Sequence, residues 1–151
     1  MFNKIALSAL VLGVAFASAQ QPARQGPPKI DPKATAHQTD LTQFNLEDGK
    51  KIYEANCASC HGASGKGDGA AAAALNPKPR DLSDAKYVNS RTWKELRDVI
   101  ALGGANAGMS ALMPAWRGAL KNPQIDNVLA YVITLSMDDK KADKKAAPAK
   151  K

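Results

Sequence analysis

Cys57 and Cys60 stand three residues apart, and His61 follows the second cysteine directly. On a helical turn residues i and i+3 share a face, so both thiols reach one edge of a flat macrocycle, where each S–H can add across a vinyl group of a porphyrin. The histidine then lies under the metal, where an imidazole nitrogen binds iron as the proximal ligand. This is the pattern of c-type haem attachment. Three other uses of the same residues fit less well. A redox dithiol expects a βαβ context and gives the adjacent histidine no role. A tetrahedral zinc site needs a fourth ligand, and the only other histidine, His37, lies in a proline-rich stretch. A Cys57–Cys60 disulfide closes a very small loop and stabilises little.

A helix must carry these groups. Asn45 is placed to cap one, with Glu47 and Asp48 at the positive end of its dipole. Leu46, Gly49, Ile52, Tyr53 and Cys57 recur at helical spacing and define one face. A glycine within a helix costs about 1 kcal/mol relative to alanine, so Gly49 asks for a reason, which the close approach of a second helix would supply, with mere tolerance of a weak residue as the alternative. After His61, four glycines between Gly62 and Gly69 predict a loop. No apolar strand precedes it and no Ser or Thr follows Lys66, which excludes a phosphate-binding loop. Ala70 to Leu75 is expected to make a short helical turn, and Asn76-Pro77-Lys78-Pro79-Arg80 an extended segment.

Thr92 and Glu95 make a capping-box pair at the start of the next helix. Its apolar stripe is Leu96, Val99 and Ile100, and Gly103-Gly104 end it. Trp93 and Tyr87 are candidates for the cofactor's edge, with core packing as the competing use. Gly103 to Leu120 has no evident period, and loops of this length usually carry function. Its Met109 and Met113 can bring a thioether to the far side of an iron, or fill gaps in the core. A last helix is expected with Asn122 as cap and Pro123 as first residue, burying Ile125, Val128, Leu129, Val132 and Leu135. Three capped amphipathic segments and no sustained strand alternation predict an all-α fold.

With these residues in view, the chain from about residue 45 to 137 resembles class I cytochrome c, the small single-haem bacterial type that also occurs as a module of respiratory oxidases. The likeness rests on Cys57 to His61, on Met113-Pro114-Ala115-Trp116 and on the closing helix around Tyr131. It implies three main helices around one covalent haem c, with iron held between His61 and Met113. Met113 is favoured over Met109 because the family places its distal ligand directly before a proline. The first and last helices are then expected to cross at Gly49 and Tyr53, against Val128 and Tyr131. A proline carbonyl after the motif orients the histidine, a role open to Pro77 and Pro79 alike. Arg80 is a candidate partner for a haem propionate, with an exposed loop charge as the alternative. The implied function is one-electron transfer between protein donors and acceptors by a non-enzymatic monomer, since a His/Met pair fills both iron positions. A haem subunit docked in a dehydrogenase or oxidase complex is the competing reading. A sensor or peroxidase with an open distal site is opposed by Met113 and by the lack of a distal histidine.

The chain ends read differently. Lys4, the apolar run Ile5 to Phe16 and Ala17-Ser18-Ala19 make a secretory signal pattern over residues 1–19, expected to be cleaved after Ala19. The run is shorter than the ~20 residues that cross a bilayer, so the protein is expected in the periplasm. Residues 20–40, with four prolines, read as a linker or disordered arm in which His37 is solvated. Residues 41–137 form the domain, and 138–151 a lysine-rich disordered tail. The net charge of +7 sits mostly outside the domain, where eleven basic residues face nine acidic ones. The tail sets six lysines against three aspartates, so basicity points to steering toward acidic partners or peripheral contact with an anionic membrane rather than to nucleic acid.

Overall fold

The computed structural model describes Ile30, Asp31 and residues 33–146, with side chains described as far as Met137. The expected signal peptide, residues 1–19, lies outside the described residues. The fold is all-α, with helices α1 (Leu46–Asn56), α2 (Ala58–His61), α3 (Ala85–Asn89), α4 (Trp93–Leu102) and α5 (Asn122–Ala146), joined by loops and short 3-10 turns. Among the described residues there is no strand, only an isolated backbone bridge between Thr35 and Thr92.

The start of α1 follows from its first turn. Asn45 Oδ1 accepts from the Asp48 N–H at 3.0 Å, and Glu47 and Asp48 face the positive helix end. The helix buries Gly49, Ile52 and Tyr53 against α5. At the crossing the two backbones touch: a Cβ on Gly49 would stand 2.1 Å from the Asn127 carbonyl oxygen. Asn127 also ties the crossing through its side chain, donating to Asp48 Oδ2 at 2.6 Å and accepting from the Asn45 N–H at 3.1 Å. Beside this seam Ile52 and Tyr53 pack with Val128 and Val132, and the Tyr53 and Tyr131 rings lie 5.4 Å apart.

The Thr92 capping box at α4 forms, with Glu95 Oε2 accepting from the Thr92 N–H at 2.8 Å. These bonds hold the Glu95 carboxyl below its ordinary value. The helix is pinned to α5 by Arg97, whose Nε donates to Asp126 Oδ1 at 2.7 Å and whose Nη2 donates to Asn122 Oδ1 at 3.1 Å. Asn122 is therefore not the cap of α5. The helix opens one residue earlier than expected, the Lys121 carbonyl accepts from Ile125 at 3.1 Å, and Lys121 N–H donates to Gln124 Oε1 at 3.0 Å.

Both ends of the domain extend further than the sequence suggested. The expected linker up to Asp40 holds structure from Thr35 onward. Thr35 and Gln38 form a capping box around a 3-10 turn, Ala36–Gln38, and the Ala36 N–H donates to the Arg91 carbonyl at 2.9 Å. Ala36 is buried in a cluster with Phe44, Trp93, Leu129 and Ile133. His37 is half-buried rather than solvated: its Nε2 lies 2.8 Å from Ser136 Oγ. Ser136 gives its hydroxyl proton to the Ile133 carbonyl at 2.7 Å, so the imidazole N–H is the donor in this pair. At the other end α5 runs on to Ala146, where disorder was expected from residue 138. A docked helix supplies the nucleus, and lysine and alanine propagate it at little cost.

Replacing Gly49 by alanine places a methyl group into backbone, not into a yielding side chain. Overpacking of this kind costs about 1–3 kcal/mol, more than the helix propensity that alanine adds. Gly49→Ala is expected to lower the denaturant midpoint of the holoprotein accordingly; an unchanged or raised midpoint would show that the crossing can open.

Candidate functional site

Between α1, α4, α5 and the two long loops lies a cavity of about 580 Å³, within the ~300–1,000 Å³ range of cofactor sites. Cys57, Cys60 and His61 line one side, and Met109 and Met113 also line it. Much of the remaining wall is apolar: Leu82, Val99, Ile100, Val128, Val132 and Trp116. Val99, Ile100, Val128 and Val132 were legible as stripes of a helical core. They form the walls of the cavity, because an apolar helix face looks the same in sequence whether it meets a side chain or a macrocycle.

The thiols are set by the junction of two helices. Cys57 ends α1, its N–H donating to the Tyr53 carbonyl at 2.8 Å, and opens α2, its carbonyl accepting from His61 N–H at 2.9 Å. No disulfide joins the two cysteines. Burial, then the neighbouring Cys60, push the Cys57 thiol up to about 11. Among the described residues no three His, Cys, Asp or Glu side chains converge on a metal position, which leaves the zinc reading without a fourth ligand.

His61 is oriented from behind. Its Nδ1 lies 3.1 Å from the Arg80 carbonyl oxygen; a carbonyl only accepts, so Nδ1 carries the proton and Nε2 keeps its lone pair for a metal. Burial holds the imidazole below its ordinary value, against the raising effect of this bond, and so favours the neutral, ligating form. The expectation that Pro77 or Pro79 supplies the carbonyl is corrected. In an extended segment successive carbonyls alternate in direction, and that of Pro79 is turned to Gly67, where a Cβ would stand 2.5 Å from it. The next carbonyl, Arg80's, meets the ring. Gly67 has φ +73°, so it suits this contact both by its conformation and by its lack of a side chain. Both prolines still line the cavity. The Arg80 side chain is exposed and stands over the Tyr87 ring, 4.7 Å from its centroid, at the cavity's edge.

The methionine loop folds back on the last turn of α4. The Ile100 and Ala101 carbonyls accept from Trp116 and Arg117 N–H at 3.1 and 3.0 Å, which satisfies acceptors a helix end leaves open. Met113 is held on both sides, its carbonyl accepting from Gly104 at 3.0 Å and its N–H donating to Ser110 at 3.2 Å. Met109 is tied by one bond to the Gly104 carbonyl at 2.8 Å and also faces an adjoining cleft of about 290 Å³ with Arg91, Glu95 and Asp98. Tyr87 lines the main cavity; Trp93 does not. Trp93 is fully buried and stacks on Phe44 with centroids 4.5 Å apart, because the N-terminal arm covers that side of α4. Trp116, which sequence reasoning used only as part of a motif, is the tryptophan at the cavity.

The residues present fit a porphyrin attached through the two thiols. Both sulfurs, one pre-oriented imidazole and two thioethers line one mostly apolar cavity, and the imidazole nitrogen opposite the one it commits to Arg80 is the one a metal would use.

Two outcomes follow. Without the macrocycle the apolar walls of this cavity, Val99, Ile100, Val128 and Val132 among them, stand against water, and a domain of this size has little other core to offset that loss. A Cys57→Ala/Cys60→Ala variant that binds no haem is therefore expected to be largely unfolded by circular dichroism, and a cooperative native-like melt would contradict this. Gly67→Ala pushes on the Pro79 carbonyl and with it the Arg80 bond to His61; a weaker bond makes the imidazole less basic. The iron's midpoint potential is expected to rise by tens of millivolts in a redox titration, and no shift would mean that this carbonyl does not tune the ligand.

The profile of the cytochrome c family matches residues 46–136. The chain is 33% identical over 89 residues to cytochrome c-554(547) of Halothiobacillus neapolitanus, covering 58% of this chain and 92% of that protein. It is 40% identical over 85 residues to cytochrome c6 of Anabaena variabilis, covering 56% and 85%. It is also 30% identical over 93 residues to the cbb3-type cytochrome c oxidase subunit FixP of Bradyrhizobium diazoefficiens, covering 61% of this chain but 28% of that one. No solved structure matches.

Proposed function

The chain belongs to the cytochrome c family, as a small class I member with one covalent haem c, and from that premise we propose that it is an exported one-electron carrier of the periplasm. The observation that carries this reading is the single cavity that collects Cys57, Cys60 and His61 with Met113. When bound, haem c supplies an iron that alternates between ferric and ferrous states and so takes up and releases one electron. The chain's own part is to hold the iron's surroundings nearly constant while it does so. Cys57 and Cys60 would fix the macrocycle to α1 and α2. His61, aligned by Arg80, offers Nε2 as proximal ligand. Met113 would hold the iron through its sulfur, its backbone bonded on both sides, whereas Met109 is held by one bond and faces a second cleft as well. With His61 and Met113 both holding it, the iron would leave no position for a substrate, and the thioether would raise its potential. Arg80 at the edge is placed to pair with a propionate, Tyr87 holding its guanidinium.

Export is supported by the signal pattern of residues 1–19. Among the described residues no helix is long and apolar enough to cross a membrane. The partners are an electron donor and an electron acceptor protein, met transiently by a monomer in a respiratory chain. A second reading, a haem subunit of an oxidase complex, is favoured by the likeness to FixP, and co-purification with a large stable partner would select it.

Absorption spectra of the ferric and ferrous holoprotein, with and without carbon monoxide, test the carrier reading. The parent is expected to be low-spin and indifferent to carbon monoxide, with a sulfur-to-iron band lost in Met113→Ala and kept in Met109→Ala. A high-spin parent that binds carbon monoxide would replace it with an open-site sensor or enzyme, and loss of the band only in Met109→Ala would reassign the ligand.

A further inference from the structure

Tyr53 carries a hydroxyl that the packing of α1 does not require. Its side chain is fully buried among Ile52, Val128 and Val132, with the Tyr131 ring beside it, and a phenylalanine would fill that space as well. A buried hydroxyl destabilises unless it is bonded, and this one donates to the Gly62 carbonyl at 2.7 Å. Burial pushes the phenol above its ordinary value, so it remains a donor at neutral pH. Gly62 is the residue that follows His61. Tyr53 also meets the other end of the motif, where its own carbonyl accepts from the Cys57 N–H at 2.8 Å. One residue of α1 therefore spans the segment from the first thiol to the imidazole.

What the hydroxyl holds is a loop. The His61 carbonyl accepts from the Gly67 N–H at 2.8 Å and the Cys60 carbonyl from the Gly69 N–H at 3.2 Å, so the turn after the motif folds back over acceptors that the end of α2 leaves open. The Gly62 carbonyl also accepts from the Gly65 N–H at 3.2 Å, and the Gly65 carbonyl accepts from the Leu82 N–H at 2.6 Å. Gly67 lies against the Pro79 carbonyl, where a Cβ would stand 2.5 Å from it. The loop is thus the backbone between the His61 main chain and the segment whose Arg80 carbonyl, 3.1 Å from Nδ1, orients the ring. These loop bonds join backbone to backbone, whereas the Tyr53 hydroxyl fastens the loop to α1.

We propose, on the reading of His61 as proximal ligand, that Tyr53 is its positioning residue: the hydroxyl anchors to α1 the glycine loop that sets the spacing of the His61 ring from the Arg80 carbonyl. Without the hydroxyl the loop gains freedom and the Nδ1 bond weakens. A less basic imidazole then favours the ferric state less, and the potential rises.

The test compares the holoprotein with Tyr53→Phe, which keeps the ring, and with Ile52→Val, which loosens the same cluster at a residue that does not line the cavity. In redox titrations Tyr53→Phe is expected to have a higher midpoint potential than the parent, in the direction expected for Gly67→Ala. Ile52→Val is expected to keep the parent's potential even though its denaturant midpoint falls. Hydrogen exchange at the Gly65 and Gly67 amides is expected to be about tenfold faster in Tyr53→Phe, the effect of one lost buried hydrogen bond. Because Tyr53→Phe and Gly67→Ala act through the one Arg80 carbonyl, the two together are expected to shift the potential by less than the sum of their separate shifts. An unmoved potential in Tyr53→Phe, or an equal shift in Ile52→Val, would overturn the proposal. Simple addition of the two shifts would put the residues on separate routes and do the same. All of these are differences between forms of one holoprotein, so a parent with an open distal site would end the carrier reading and still decide the role of Tyr53 by the same shifts.

Discussion

A cavity of about 580 Å³ in the middle of a domain this small is a constraint on everything around it. The side chains that ordinarily make a core, Val99, Ile100, Val128 and Val132, spend part of their apolar surface on a cofactor. What remains to hold the helices together must be dense where it occurs. The α1–α5 crossing meets that need at Gly49, where two backbones touch and Asn127 joins them by side-chain bonds as well. A second point is the largely buried Arg97–Asp126 pair between α4 and α5. A third is the arm, which seals Trp93 and Phe44. Helices held at three separated places can leave a hollow between them.

The same economy governs the site. The groups at the cavity are placed by backbone rather than by side-chain networks: the Arg80 carbonyl sets His61, and the Gly104 and Ser110 peptide groups hold Met113. Backbone partners move only if the chain moves. A one-electron carrier benefits from this, because ligands that stay put between the two iron states leave little to reorganise.

Arg80 joins two parts of this arrangement. Its carbonyl accepts from the proximal imidazole while its guanidinium rests on Tyr87 at the cavity's edge. One residue therefore links the orientation of His61 to the charge at the mouth of the site.

The attachment motif, the cap at Asn45, the Thr92–Glu95 box and the helix crossing at Gly49 were all legible in the sequence, because each depends on residues close in the chain or on a glycine with no other reason to be there. The arm from Thr35 to Asp40 was misread as linker: its own polar residues and the prolines that precede it carry the local signal, while the burial of Ala36 and the His37–Ser136 bond depend on partners far along the chain. Trp93 was likewise offered for the cofactor's edge, but the arm covers it and Trp116 lines the cavity instead. Identity and spacing determined the cofactor chemistry, the helices and their ends. Tertiary structure decided which carbonyl meets His61, which aromatic ring faces the cavity and how far α5 runs, because direction across space is set by packing between distant segments, and no local pattern encodes it.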